Sequence, residues 1–528
     1  MAKRKETMDT DVLIVWAGPT GMTAAALLAA RGIRVIVLEQ RESTSDEPKA
    51  ISIDDEALRT YQQAGIVQDI MSVIVPGTGT RYYDADHQPL FQARAAVPYR
   101  LGFPFKNPFA QPDLEKVLAT TLDKHALVEV KFGHRVTAVA QDAGSAFVTA
   151  HGPHGAEDFS ASFVFGADGG RSIVRELFGN DMSGRSYKDV WLVADTLEDP
   201  HTERYGMHHG DPTRPHVIVP GLGGRCRYEF LLFDGESEAG APPAFELIQK
   251  LVAPYRDIEP EHVERAINYR FNAVNADRWR EGRFFLLGDA AHMMPPFAGQ
   301  GLNSGIRDAA NLAWKVAEVV QGKAPESILD SYQTERKPHA AATIAQSIRL
   351  GRVVMTTSQR VAEHRDSLVR GALTSEEGRS FFEEMRYRPT ANYRQGLCAT
   401  DNAGLAIGQP LAFDIATHTA DRLDSIVGNG WSLFGIDVDP QEWAAVEKLA
   451  EQFGATAWHI PYGDTQPRGT GIAKVLLDLD GSLYQEFSPY RGRFVLLRPD
   501  RFTAAVWAPS DTDIVAMSSA AWRTELSV

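Results

Sequence analysis

The chain has 528 residues, with 54 basic against 69 acidic side chains and a formal charge of −15. That acidic balance disfavours nucleic acid or an anionic membrane as the main partner, and 44% hydrophobic residues exclude wholesale disorder. Two cysteines, Cys226 and Cys398, exclude a disulfide framework and a CxxC metal site. Their scarcity suits a reducing cytoplasm. Residues 1–11 are charged and lack a signal-peptide core, and no apolar run approaches the ~20 residues that span a bilayer. A soluble, cytoplasmic protein of about three domains is expected.

Residues 12–15 are a β-branched run followed by Trp16-Ala17-Gly18-Pro19-Thr20-Gly21. The alanine- and leucine-rich stretch 22–30 predicts a helix that Gly32 ends, and 33–38 predicts a second strand closed by Glu39. This is a βαβ unit around a glycine turn. Such a turn lets a pyrophosphate approach the backbone and sit on the helix N-terminus. Glu39, 18 residues past Gly21, stands where an acid accepts ribose hydroxyls. A purely structural βαβ unit is the competing reading. The first glycine position is Trp16, where a tight turn needs φ > 0 and a non-glycine residue costs about 1–3 kcal/mol. A large indole there also crowds a dinucleotide.

The middle of the chain changes character. Residues 82–105 and 188–271 carry alternating or β-branched runs, such as 216–220 and 227–233, broken by Gly and Pro. They predict a mostly antiparallel sheet layered against the nucleotide-type domain. Residues 284–287 form another apolar strand, leading to Gly288-Asp289 and a helix over about 302–320, with Leu302, Ile306, Ala310, Ala313 and Val316 on one face. A helical region, 325–394, follows. After about residue 400 the composition resets. Glycines at 404–408, 428–430 and 469–471 punctuate strands at 474–479 and 493–498, with a helix at 442–452. This predicts a separate α/β domain over 400–528. No metal-ligand cluster is visible in the sequence.

Three further motifs follow the βαβ unit: Phe165-Gly166-Ala167-Asp168-Gly169-Gly170-Arg171-Ser172, Gly288-Asp289-Ala290-Ala291-His292, and Pro295-Pro296-Phe297-Ala298-Gly299-Gln300-Gly301-Leu302-Asn303-Ser304-Gly305. Singly, each is turn chemistry. In this order, with Lys49-Ala50 ahead of Asp54-Asp55-Glu56-Ala57-Leu58 and with Gln111-Pro112-Asp113-Leu114-Glu115, the sequence resembles the flavoprotein aromatic hydroxylases of the para-hydroxybenzoate hydroxylase fold. It is nearest to the branch containing 3-(3-hydroxyphenyl)propionate hydroxylase. The resemblance covers about residues 10–339 with specific motifs, and more weakly the family's thioredoxin-like C-terminal domain. That domain lacks a CxxC here, so a redox role is not expected of it.

The resemblance implies an FAD-binding domain over 1–187, interrupted near 82–105 by strands of the substrate sheet, and resuming with a helical region over 276–394. It implies a substrate-binding β-sheet domain over 188–275 and a thioredoxin-like domain over 400–528. FAD is the implied cofactor, with NADH or NADPH, O2 and a small aromatic molecule as partners. A homodimer is left open. Ala17, Gly18 and Gly21 would cradle the pyrophosphate and Glu39 the ribose. Lys49 stands where the family often has Arg, keeping the charge without the fork geometry. Gln111 would approach the ribityl or phosphate region, Asp289 the ribityl chain, and Asp168 would organise flavin and nicotinamide. The turn with Pro296, Gly299, Gly301, Leu302 and Asn303 would offer helix N–H groups to the reduced ring.

The implied activity is NAD(P)H- and O2-dependent hydroxylation of a monocyclic phenol or phenolic acid through a flavin hydroperoxide. Such chemistry wants a base for the phenol. Asp54 is one candidate, and equally an N-cap for a helix over 56–64. Tyr228 is another, against a plain core role. His208 and His209 read as loop residues. Arg225 or Arg227 would receive a substrate carboxylate, unless Arg227 merely pairs with Glu229 at the surface. Two alternatives share these motifs: a tailoring hydroxylase of polycyclic or polyketide phenols, and a degenerate flavoprotein serving as a binding module.

Overall fold

The computed structural model describes residues 9–46, 49–77, 79–94, 97–389, 391–463 and 473–523. Among them no helix is long and apolar enough to cross a membrane. The glycines expected at 469–471 lie outside the described residues. Two compact units divide the chain: one from Met1–Tyr99, Phe103–Ala309 and Ala340–Pro389, the other from Arg100–Gly102, Ala310–His339 and Thr390–Val528.

The first unit contains two large sheets. One places strands Phe284–Leu286, Gly155–Gly166, Thr10–Val15, Val35–Leu38 and Val128–Lys131 side by side, all parallel. Val12, Leu13, Ile14, Val37, Val164 and Phe165 have no exposed surface, which is why these strands read as unbroken apolar runs rather than alternations. From Thr10–Val15 the chain goes next to one neighbour, Val35–Leu38, and only much later to the other, Gly155–Gly166. The sheet order therefore reverses at this strand, and in such sheets a crevice opens at the carboxyl ends of the strands where it does so. The helix Pro19–Ala29 packs so closely that a Cβ at Gly21 would lie 2.3 Å from the Trp16 carbonyl oxygen, which only glycine permits.

The second sheet runs His292–Met293, Val263–Ala276, Met182–Thr196, Cys226–Leu232, His216–Pro220, Gly206–His209, Thr80–Tyr83 and Pro89–Ala93. It is antiparallel except where Gly206–His209 meets Thr80–Tyr83. The insertion expected near 82–105 does supply strands to it. Successive residues face opposite sides. Leu192, Ile218, Tyr228 and Phe230 pack beneath Ile248, Leu251 and Val252 of the helix Phe245–Val252. Trp191, Val217, Val219 and Leu231 face the other way and meet Phe297.

The second unit holds a seven-stranded mixed sheet in the order Thr419–Arg422, Leu411–Asp414, Lys474–Asp478, Thr456–Ile460, Ser432–Ile436, Arg493–Leu497, Thr503–Trp507. Phe434, Trp458, Leu476 and Val495 form its core. The helix expected at 442–452 is Trp443–Phe453. Residues 310–339 belong to this unit, and with them comes a fully buried charge network. Glu335 accepts from Arg498 at 2.7 and 2.8 Å, from Lys315 at 2.7 Å and from Asn311 at 2.7 Å, while Arg498 also pairs with Asp500. Burial works against the Glu335 carboxylate, but the two cations outweigh it and hold its pKa well below the usual range. Burial brings Lys315 down to about 8.

Breaking such a pair strands the remaining charges, so Glu335→Ala should cost about 3–5 kcal/mol, read as a lower denaturation midpoint of the full chain. Because the folded pKa of Glu335 is depressed, its contribution is present above the unfolded value near 4.5 and is lost as pH falls below it. Wild type should lose stability on acidification through that range, and the variant should lose less.

Candidate active site

The motif residues gather at the carboxyl ends of the parallel strands. Trp16 follows Thr10–Val15, with φ of +90 and its N–H donating to the Leu38 carbonyl at 2.7 Å. The left-handed turn expected at this position is present, and a tryptophan makes it. Its indole lies between Gly18 and Gly169: Cβ atoms added there would meet ring atoms at 3.4 and 2.8 Å. Lys49, exposed, stands 5.8 Å over the same ring.

Glu39 is buried, and its two oxygens accept the N–H groups of Ala17 at 3.0 Å and Arg41 at 2.9 Å. Burial raises its pKa against those bonds. Each carboxylate oxygen has a second lone pair to offer. Gln111 accepts from the Ala50 N–H at 2.8 Å and donates to Glu115 at 2.7 Å, fixing the segment after Lys49. Asp168 accepts from Ser172 Oγ and from the Val174 N–H at 3.1 Å, holding the entry to the helix Ile173–Leu177. Asp289 is different. It is exposed, and desolvation by the surrounding protein raises its pKa against the pull of His292 and Lys49. It makes no hydrogen bond to a described residue.

The helix Gly301–Val320 starts beside these strand ends. A Cβ at Gly305 would lie 2.4 Å from Thr20 Oγ1 and 3.2 Å from the Gly288 Cα, so glycine sets this close approach. Asn303 accepts the Asp54 N–H at 3.0 Å and donates to the carbonyls of Ser52 at 3.2 Å and Gly299 at 2.7 Å. Asp308 accepts from the Gly288 N–H at 3.1 Å and contacts His292 Nε2 at 2.8 Å. Pro296 and Gly299 close the turn ahead of the helix, Gly299 with φ of +63.

That turn also walls a partly open cavity against the second sheet. Ile51, Val217, Val219 and Phe297 make it apolar, and Lys106, His208 and Glu229 give it charge and polarity. Neither proposed base has its side chain free in it. Asp54 is an N-cap: Oδ1 accepts the Ala57 N–H at 2.9 Å, and Oδ2 accepts from Arg307 at 2.5 Å. Tyr228 sits on the sheet's opposite face, its hydroxyl donating to Asp199 Oδ2 at 2.9 Å. Arg225 is held by Asp113 and Glu264, and Arg227 by Asp195 and the Lys49 carbonyl, so neither is available to a substrate carboxylate.

His208 and His209 are buried in a strand, not a loop, and burial lowers both their pKa values, His208 to about 3. Glu229 is buried as well, 3.8 Å from Arg227, rather than part of a surface pair. The period-two alternation of Cys226–Leu232 carried the signal for Glu229, and Lys106 had none. Asp199, His201 and Cys226 bring ligand-type atoms within 4.8 Å of one another, a trio the sequence did not suggest. Hydrogen bonds from Tyr228 and His201 and an ion pair with Arg256 already engage Asp199.

A family model described as FAD binding domain matches residues 9–347, and one described as HcaD C-terminal domain matches 404–521. A 3-(3-hydroxy-phenyl)propionate/3-hydroxycinnamic acid hydroxylase of Mycolicibacterium smegmatis is 34% identical over 94% of this chain and 90% of its own length. A second protein of that name, from Burkholderia vietnamiensis, is 34% identical over 97% of this chain and 96% of its own length. Among solved structures, aklavinone-11 hydroxylase, crystallised with FAD and aklavinone, has a TM-score of 0.77 at 22% identity, covering 97% of this chain and 99% of its own, a likeness of fold.

The residues present fit FAD. Helix Pro19–Ala29 has no side chain capping its N-terminal N–H groups, Asp289 offers an unengaged carboxylate, and nothing stands within 4 Å of a Cβ placed at Gly301. Gly18, Gly21, Glu39, Asp289 and the 299–303 turn would hold the group. Trp16 works against it through its strained φ and its ring beside Gly18. Trp16→Gly should raise FAD affinity several-fold, about 1 kcal/mol or more, in a fluorescence titration of the apoprotein. Identical titrations would mean the indole is accommodated at no cost. With the family model spanning 9–347 and relatives alike over nearly the whole length, the chain belongs to the FAD-dependent aromatic hydroxylases.

Proposed function

We propose that this monooxygenase hydroxylates a monocyclic phenol of the hydroxyphenyl-propionate or hydroxycinnamate kind, next to the existing hydroxyl. The observation that carries this is the identity, about a third over nearly the full length, to relatives bearing that name. Bound FAD, reduced by NADH or NADPH, supplies with O2 the electrophilic oxygen. The chain's own part is to bind the ring, orient it and keep water out. Ile51, Val217, Val219 and Phe297 give an aromatic ring apolar walls, and Pro296 and Gly299, from the turn that would face FAD, line the same pocket. An ionised phenol donates electrons to its ortho and para carbons, which fits attack beside the hydroxyl. A cytoplasmic location goes with this reading, supported by two cysteines that are both free.

The test is a panel of simple phenols, phenolic acids and their uncharged amides with NADH or NADPH and O2, following both reductant and product. Hydroxylated product from a monocyclic member, matched to reductant consumed, is expected. Consumption giving only hydrogen peroxide with every monocyclic phenol, but coupled hydroxylation of a polycyclic one, would overturn the proposal in favour of a tailoring enzyme.

A further inference from the structure

Lys106 is the cation of the cavity, and its backbone is pinned. It precedes the short strand Asn107–Pro108, which pairs with Ser52–Ile53. Asn107 donates to the carbonyls of Ile53 at 3.1 Å and Pro104 at 2.8 Å, and accepts from the Gly77 N–H at 2.9 Å. The Lys106 carbonyl sits so close to Gly77 that a Cβ there would lie 2.1 Å from it. The residue is 7% exposed, lines the cavity, and its side chain makes no hydrogen bond or ion pair with a described residue. An ammonium in that position is costly unless it loses its proton or gains an anion.

The surrounding groups favour losing it. Burial and the charge of Arg388 lower the pKa of Lys106 to about 8, against the pull of Asp54. Asp54 is already committed to Ala57 and Arg307. His208, on the strand Gly206–His209, is kept neutral by burial and by Lys106 itself. Glu229, on the strand Cys226–Leu232, is raised by burial and stands 3.8 Å from Arg227. Of the residues lining the cavity, Lys106 alone offers an amine that, unprotonated, is a strong base and, protonated, is an anion receptor.

We propose that Lys106 is the catalytic base of the hydroxylation: its free amine takes the proton of the substrate phenol, and the ammonium so formed holds the phenolate in the cavity. The phenolic O–H bond breaks, an N–H bond forms on Nζ, and the electron pair stays on oxygen, where it activates the ring. No further reactant is needed, and the ammonium can return its proton as product leaves. This rests on the phenol-hydroxylase reading.

The experiment compares wild type, Lys106→Met and Lys106→Arg as FAD-loaded proteins. The first readout needs no turnover: 4-nitrophenol, whose anion is yellow, is bound to the oxidised protein and titrated. In wild type the bound probe should ionise at lower pH than in solution. Lys106→Met should raise its apparent pKa by about one unit or more, while Lys106→Arg, still cationic, should keep the wild-type shift. In turnover, both variants should lose about a hundredfold or more in kcat, with a smaller change in KM for Lys106→Arg. The alkaline rise of kcat/KM through about 8 in wild type should disappear.

Absence of a probe shift in wild type, or a Lys106→Met protein within about twofold of wild type in both readouts, overturns the proposal. Full kcat in Lys106→Arg also overturns it, since arginine keeps the charge but not the base. Should Lys106→Met fail to fold or retain FAD, the arginine variant decides alone. If wild type hydroxylates no phenol, the functional reading fails while the probe titration still judges Lys106.

Discussion

The first turns of the helix Gly301–Val320 hold the site together. Asn303 ties the backbones of Ser52, Asp54 and Gly299, Arg307 pairs with the carboxylates of Asp54 and Glu56, and Asp308 secures Gly288 and His292. These side chains are buried, so the bonds face little competition from water, and leaving any member unpaired would cost the desolvation of a buried polar group. Two stretches are thereby fixed to one helix end: the strand Ser52–Ile53 with Asp54, some 250 residues upstream, and the turns of Gly288 and Gly299 that lead into the helix. A helix N-terminus in that place would suit an anionic ring next to a phenol.

The parallel sheet supplies the other half of the geometry. Its central strands are apolar over 12–15, 35–38 and 163–165, and acids gather just past the carboxyl ends: Glu39, Asp168 and Asp289. Two of the three are occupied with backbone. Glu39 holds Ala17 and Arg41, and Asp168 holds the entry of the next helix. Two of the acids that mark this family in sequence thus shape the loops, while Asp289 makes no hydrogen bond to a described residue. Trp16 is the local exception, a large residue in a left-handed turn, tolerated because its ring finds room between two glycines.

Much of this was legible in the sequence because backbone requirements write strong signals. A glycine that must touch a carbonyl, an unbroken apolar strand and a glycine-rich helix entry each admit few residue types, so the fold class, the family and FAD as its cofactor could be read. The side chains that face the substrate could not. Tyr228 and Glu229 are neighbours, and which of them meets the cavity depends on a register that one residue's shift reverses. Asp54 is equally suited to capping and to proton transfer, and only Arg307, some 250 residues away, decides between them. Lys106 lies in an irregular segment, where no periodicity marks a side chain as inward.

The proposed function puts the phenol in the cavity walled by Pro296, Phe297 and Gly299, next to the residues that would hold FAD. Titrating a monocyclic phenolic acid into the purified FAD-containing protein tests it directly through the visible flavin bands. Saturable displacement of those bands, with one phenol per FAD, is the predicted result. A protein that binds no FAD at micromolar concentrations, or one that binds the phenol without disturbing the flavin, would contradict the account.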